Sequence, residues 1–185
     1  MFNIGFLTLV RREVFRFLAL YKQTLVPSVI SSGLYIMVFG QSLGSRIGPI
    51  KDVSYISYII PGLAMMSVIN NAYQNSSSSM IQSKFLRFID DILVTPLSGL
   101  ELSTSYILGG AVRGSLNGIL VLLIGMMLTD LNVNSWPMTF LYIITVSWTF
   151  AALGVIIGIT AENWDQISVF TNFIFMPLTF LGGVF

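Results

Sequence analysis

Side chains that can do chemistry are scarce in this sequence. It has no Cys and no His, which excludes thiolate nucleophiles, disulfides, imidazole bases and the usual transition-metal ligands. None of Lys22, Lys51 and Lys84 follows the glycine spacing that cradles nucleotide phosphates. We therefore expect no catalytic site, no cofactor and no metal in this chain, and any ATP chemistry must be done by another polypeptide.

The few charged residues stand out because the rest of the chain is apolar. Of its 185 residues, 9% are charged and 55% are hydrophobic, and the mean hydropathy is +0.84. A soluble domain usually carries about 25% charged residues, so this composition predicts an integral membrane protein. The net charge of +1 argues against a nucleic-acid partner, which would require clustered Lys and Arg.

Uncharged stretches divide the chain into predicted transmembrane helices. A bilayer core of about 30 Å is crossed by roughly 20 apolar helical residues, and each long gap between charges holds one such span. The predicted architecture is an all-α helical bundle that forms a single transmembrane domain, residues 1–185. The predicted spans cover residues 25–43, 54–77, 103–128, 137–160 and 167–185.

The distribution of basic residues predicts the orientation, because cytoplasmic loops carry an excess of Lys and Arg. With the N terminus inside, the outer segments hold only Arg46 and Lys51. The inner segments then hold Arg11, Arg12, Arg16, Lys22, Lys84 and Arg87. A cytoplasmic N terminus is therefore predicted.

The opening segment, residues 1–23, is amphipathic. One face carries an apolar stripe at helical spacing, while Arg12, Glu13 and Arg16 lie off it. The stripe consists of Val10, Val14, Phe17, Leu18 and Tyr21. Such a helix is predicted to lie in the cytoplasmic membrane interface with its arginines towards lipid phosphates. A surface anchor and a segment that grips a partner are both consistent with this pattern.

The segment between the second and third spans, residues 84–96, is predicted to form a short cytoplasmic helix. Its apolar stripe is Phe85, Phe88, Ile89, Ile92 and Leu93, and its charged side is Lys84, Arg87, Asp90 and Asp91. Arg87 and Asp91 have the spacing of an ion pair. Thr95-Pro96 ends the helix, and Ser98 to Glu101 reads as a capping box for the next span. The alternative is a helix that lies flat on the membrane.

Polar residues inside the spans allow two interpretations. Asn70, Gln74 and Ser78 share one helical face, with Asn71 beside them. They either line a hydrated path, since amides in lipid need partners, or mark the point where the helix has reached the cytoplasm. Arg113, the one charge inside a span, is either a snorkelling interface residue or a residue with an ion-pair or pore role.

Glycines recur at four-residue spacing and predict close helix packing. In the third span they are Gly110, Gly114 and Gly118, and in the fourth they are Gly154 and Gly158.

Several local motifs appear together in a characteristic order. They are Arg12-Glu13, Gln23 to Pro27, Phe39 to Gly44, Ile60 to Leu63, Leu93 to Leu97, Gly109 to Gly114 and Pro177 to Phe185. With these the chain resembles the permease subunit of ABC-2 type transporters, close to small bacterial permeases that pair with a separate ATPase. The resemblance implies an exporter subunit of the bacterial inner membrane. Because that family has six spans, the chain resembles a member truncated at its C terminus.

The resemblance also implies how such a subunit would work. Residues 84–96 would be the coupling helix that docks into the ATPase, with the loop at Glu162 adding to the contact. The coupling residues would be Lys84, Phe85, Arg87, Phe88, Asp90, Asp91, Leu93, Thr95, Pro96 and Glu162. Two permeases and two ATPases would form the working unit, with ATP and Mg²⁺ on the partner and an unidentified substrate passing between the permeases.

A rival hypothesis is an ATP-independent channel or secondary transporter. It predicts internal repeats and ionisable residues at mid-membrane. The sequence has no evident repeat, and Arg113 is its sole candidate of the second kind.

Overall fold

The computed structural model describes residues 4–42, 54–129 and 131–181, and all regular structure in those ranges is helical. This confirms the predicted all-α class for the described part of the chain. The helices are α1 (Ile4–Ala19), α2 (Tyr21–Thr24), α3 (Val26–Ser42), α4 (Tyr55–Phe85), α5 (Phe88–Leu93), α6 (Gly99–Leu128), α7 (Trp136–Thr160), α8 (Trp164–Val169) and α9 (Met176–Thr179), with a π-helical turn at Phe170–Phe175 between the last two. Arg46, Lys51 and the predicted span ends at Leu43 and Phe185 lie outside the described residues.

Two helices, α6 and α7, are long and apolar enough to cross a membrane. They coincide with the predicted spans 103–128 and 137–160. The other three spans stay predictions, for identifiable reasons. The described part of α3 has 17 residues, α4 carries a run of Asn, Gln and Ser, and a π-helical turn interrupts the segment that contains α8 and α9.

Helix α4 is the centre of the bundle and packs most extensively against α6 and α7. Ser54 caps its N terminus by accepting a hydrogen bond from the Ser57 amide. At about 1.5 Å per residue it is about 46 Å long, well beyond the hydrocarbon core of about 30 Å. Its apolar half forms the core with α6 and α7, where the fully buried residues include Ile59, Val68 and Val121.

The three central helices approach so closely that glycine is required at the contacts. A Cβ added at Gly114 would lie 2.7 Å from the Ala72 Cβ, and one at Gly154 would lie 2.6 Å from the Tyr73 carbonyl oxygen. Both distances are shorter than normal contacts. Gly110, Gly118 and Gly158 meet α4 in the same way.

The segment predicted as one helix over residues 84–96 is divided. Lys84 and Phe85 are the last two residues of α4, and α5 begins only at Phe88. Between them Arg87 has a φ of 59°, a left-handed conformation that turns the chain and that non-glycine residues rarely adopt. The predicted extent of this helix is therefore wrong, and within the described residues Arg87 forms no ion pair with Asp91.

Gly114→Ala tests the close approach of α6 to α4. The new methyl group would overlap α4 and force the two helices apart, so we expect a loss of about 1–3 kcal/mol in the free energy of unfolding. Gly33→Ala is the matched control, because nothing lies within 4 Å of its added Cβ. Unfolding in mixed detergent micelles with increasing dodecyl sulfate measures both. Equal stability of the two variants would contradict the assignment of Gly114 to a packed interface.

Candidate functional site

One end of the bundle brings α5 together with the ends of the long helices. The Lys84 ammonium donates hydrogen bonds to the carbonyls of Gly158, at 3.3 Å, and Ala161, at 2.8 Å. A cation at this position satisfies free carbonyls and complements the dipole at the C terminus of α7. The end of α4 is thereby fixed to the α7–α8 loop, which carries the exposed Glu162. Lys84, predicted to contact an ATPase, is engaged within the bundle.

The α5 surface, by contrast, has no such internal partners. Asp90 and Asp91 are exposed and form no ion pair or side-chain hydrogen bond with other described residues. Beside them Phe85 is 77% exposed and Leu93 is 65% exposed. We define the α5 surface as Phe85, Arg87, Phe88, Asp90, Asp91, Leu93, Thr95 and Pro96, all of which are exposed.

Defined turns hold α5 at both ends. On its N-terminal side stands the left-handed turn at Arg87. On its C-terminal side the predicted capping box is confirmed. The Ser98 hydroxyl accepts from the Glu101 amide, and the Glu101 carboxylate accepts from the Ser98 amide at 2.9 Å. Helix α5 is therefore a short element between two fixed points, which suits it to transmit a push to α4 and α6.

A buried carboxylate fastens α1 to this end of the bundle. Glu13 is 0% exposed and accepts a 2.6 Å hydrogen bond from the Ser79 hydroxyl of α4. Its oxygens also lie 2.9 Å from Arg12 and 3.3 Å from Arg16. Gly109 of α6 leaves room for the Glu13 side chain, since a Cβ there would lie 2.6 Å from the Glu13 Cβ.

The two arginines extend this network to both central helices. Arg16 donates to the backbone and side-chain oxygens of Asn75, at 3.0 and 3.2 Å, and Arg12 donates to the Tyr106 hydroxyl at 3.2 Å. Burial by itself would lower the pKa of Arg12, but the hydrogen bond and charge of Glu13 outweigh it and raise that pKa above its usual value. The Arg12 guanidinium is thus held in its charged form.

This network differs from the sequence-based expectation. The pattern placed Arg12, Glu13 and Arg16 off the apolar stripe, with the arginines towards lipid phosphates. The structure instead buries Glu13 and directs Arg16 onto α4. Helical periodicity reports which residues share a face, but it does not report that two arginines can neutralise a carboxylate between them. The available signal was the sequence Arg-Arg-Glu followed by Arg16, which places one acid among three bases.

A cavity of about 660 Å³ separates α1 from α5. Its lining combines the arginine pair of α1, the polar end of α4 and one side of α5, which includes Phe88 and Asp91 of the α5 surface. The lining residues are Arg12, Phe15, Arg16, Ser79, Gln82, Ser83, Leu86, Phe88, Asp91 and Ile92. Helix α5 therefore has free space on the side that faces α1.

The polar face of α4 serves two purposes that the sequence left unseparated. Asn71 is buried and donates to the Ser28 hydroxyl of α3 at 2.9 Å, and Asn75 receives Arg16 as described above. Asn70, which precedes Asn71, is partly exposed, and Gln74, which precedes Asn75, is exposed. Buried amides thus join helices, while their neighbours face open space.

Two polar cavities lie along this open face. One, of about 250 Å³, lies between α3, α4 and α6, and the other, of about 280 Å³, lies between α4, α6 and α8. Gln74 and Arg113 line both cavities, and Asn70 and Asn71 line the first. The structure therefore brings together Asn70, Asn71, Gln74 and Arg113, the residues considered as a path.

Glu13→Gln tests the attachment of α1. The substitution removes the charge that pairs with Arg12 and Arg16, so we expect a loss of about 2 kcal/mol in the free energy of unfolding. Glu162→Gln is the control, since Glu162 is exposed and forms no ion pair with described residues. The same detergent titration measures both variants. A Glu13→Gln protein as stable as the control would show that the carboxylate does not hold α1 in place.

Known proteins are similar to nearly the whole chain. It matches the ABC-2 type transporter family over residues 5–185. It is 42% identical over 174 residues to the inner membrane transport permease YadH of Escherichia coli K12, covering 94% of this chain and 68% of that protein. Nodulation protein J of Rhizobium leguminosarum bv. viciae is 23% identical over 155 residues, covering 81% of this chain and 58% of that protein. No solved structure gives a significant match.

Proposed function

This chain belongs to the ABC-2 type transporter family, and we propose that it is the permease subunit of an exporter driven by a separate ATP-binding-cassette ATPase. The similarity to YadH, named an inner membrane transport permease, supports a transport role in the bacterial inner membrane. The sequence contains no P-loop lysine of its own, so ATP and Mg²⁺ belong to the partner. In this proposal the chain transports and does not catalyse.

The α5 surface is the observation that carries the proposal. It combines exposed apolar side chains with two acidic residues that have no partner among the described ones. An exposed apolar patch beside unpaired charge is typical of a protein interface. We propose that the ATPase docks here, with Glu162 of the neighbouring loop at the edge of the contact.

The helix packing supports the transmission of a movement from this interface to the long helices of the bundle. A push on α5 acts through the Arg87 turn on α4, and α4 is in close contact with α6 and α7. Because close-packed helices move as units rather than deform gradually, a displacement of α5 would move α4 as a lever. Two copies of the permease, with the polar cavities on the path between them, complete the proposed transporter.

Asp90→Lys with Asp91→Lys tests ATPase docking. Reversing both charges on the α5 surface places like charges against a complementary partner, which costs several kcal/mol. We expect recovery of the ATPase in a pull-down with the tagged permease to fall at least tenfold. Asn132→Lys with Asn134→Lys adds two lysines at exposed positions of the α6–α7 loop, at the opposite end of the bundle, and should leave recovery unchanged. Unchanged recovery with the α5 variant would refute docking at this surface.

Single cysteines test the proposed orientation, because the chain has no natural Cys. Thr95→Cys and Asn134→Cys place one exposed thiol at each end of the bundle. In intact spheroplasts a membrane-impermeant maleimide should label Asn134→Cys, and it should label Thr95→Cys only after permeabilisation. Labelling of Thr95→Cys from outside would place α5 out of reach of a cytoplasmic ATPase and end the proposal.

A further inference from the structure

Arg113 is a half-buried arginine of α6 that has no counter-charge among the described residues. It is the fifteenth of the 30 residues of α6, about 21 Å along the helix from its first residue. Among residues 4–42, 54–129 and 131–181 its side chain forms no ion pair and donates no hydrogen bond, and its Nε is buried without a partner. Arg12 and Arg16, by comparison, share the carboxylate of Glu13. The fold neutralises those two and leaves Arg113 uncompensated.

An arginine with a partly buried guanidinium and no counter-charge is energetically unfavourable. The guanidinium stays protonated in proteins, and a charge taken out of water without a partner is costly. A charge kept under these conditions is a marker of function inside a membrane.

The surroundings of Arg113 are built to receive a polar group. It lies where the two polar cavities meet, and the described lining of both contains no Asp or Glu. Instead the lining supplies neutral donors, among them the amide of Gln74 and the hydroxyls of Ser78 and Thr171. One fixed positive charge surrounded by neutral donors is an arrangement that attracts an anion and repels a cation.

We propose that Arg113 binds an oxyanion, a phosphate or carboxylate group of the transported molecule, and that the substrate is therefore anionic. This inference rests on the proposed function, since it identifies the cavities beside α4 as part of the transport path. The planar guanidinium can form two parallel hydrogen bonds to such a group. In the low dielectric of the site these bonds are stronger than in water. In this proposal the substrate supplies the negative charge that the described cavity lining lacks.

The fluorescence of Trp164 reports binding directly, because Trp164 lines the second cavity together with Arg113. With Trp136→Phe and Trp148→Phe it becomes the single tryptophan of the chain. The full chain in neutral detergent is titrated with dihexanoyl phosphatidic acid, with dihexanoyl phosphatidylcholine and with inorganic phosphate. We expect a saturable fluorescence change with phosphatidic acid and none with the zwitterionic lipid. Saturation by inorganic phosphate as well identifies a free phosphate group as sufficient, whereas a response to phosphatidic acid alone identifies an acidic lipid headgroup.

Five variants assign the binding to Arg113. Arg113→Gln should weaken phosphatidic acid binding about tenfold or more, as expected for the loss of a charge-assisted hydrogen bond. Arg113→Lys should fall between that variant and the wild type. Arg11→Gln removes an exposed arginine of α1 and should change nothing. Gln74→Glu introduces a carboxylate beside Arg113 and should also abolish binding, while Gln82→Glu, two turns along α4, should not.

The thermal stability of the same variants separates binding from a structural role. Because Arg113 has no side-chain partner among the described residues, Arg113→Gln and Gln74→Glu should melt at or above the wild-type temperature. Absence of probe binding by the wild type, equal binding of the two lipids, or wild-type affinity in Arg113→Gln would each overturn the inference. Should Arg113→Gln fail to fold, the Gln74→Glu and Gln82→Glu pair decides the question by itself.

The test of oxyanion binding at Arg113 is independent of the pull-down that tests ATPase docking. Arg113→Gln should recover the ATPase in the pull-down as well as the wild type does, because the α5 surface is unchanged. Loss of probe binding with intact ATPase recovery in the wild type would remove only the oxyanion site. Failure of the wild type to recover any ATPase would instead refute the proposed function, whatever Arg113 binds.

Discussion

The close approach of α4 to α6 and α7 is the constraint on which the rest of the structure depends. Where the backbones nearly touch, only small residues fit, and hydroxyl groups can bond across the contact. Ser76 of α4 donates to the Tyr106 carbonyl of α6 at 3.2 Å, and Ser147 of α7 donates to the Ala111 carbonyl of α6 at 2.7 Å. The serines thus serve as small packing residues and as hydrogen-bond donors. They explain much of the polar character of α4 without invoking a path.

The same constraint determines how α1 becomes part of the bundle. Gly109, one residue before the packed Gly110, leaves a space on α6 that Glu13 fills. Inside that space the carboxylate needs compensation, which Ser79, Arg12 and Arg16 provide. Helix α1, which the sequence predicts to lie in the membrane interface, is therefore joined to α4 and α6. With α5 across the intervening cavity, α1 and α4 form the frame against which an ATPase would act.

The open face of α4, which carries Asn70 and Gln74, is the side of the helix that does not pack against α1, α6 or α7. Asn71 and Asn75 have partners on α3 and α1, whereas Asn70 and Gln74 do not take part in the buried contacts between helices. Arg113 reaches this open side from α6 and stays without a counter-charge among the described residues. Packing contacts and the proposed path thus occupy adjacent positions of one helix, separated by a rotation of about 100° per residue. A single helix holds the bundle together and borders the cavities.

The sequence by itself determined the class of the protein and its family, because composition, uncharged stretches and local motifs are properties of the chain alone. The all-helical fold, the spans at α6 and α7 and the Ser98–Glu101 capping box follow from such local patterns. Only the tertiary structure decided that Glu13 is buried, that Lys84 caps α7 and that Arg87 divides the predicted coupling helix. It also decided which amides of α4 have partners and that Arg113 has none among the described residues. The contacts of Glu13, Lys84 and the amides depend on atoms from helices distant in sequence, and helical periodicity carries no information on which helix lies opposite a given face.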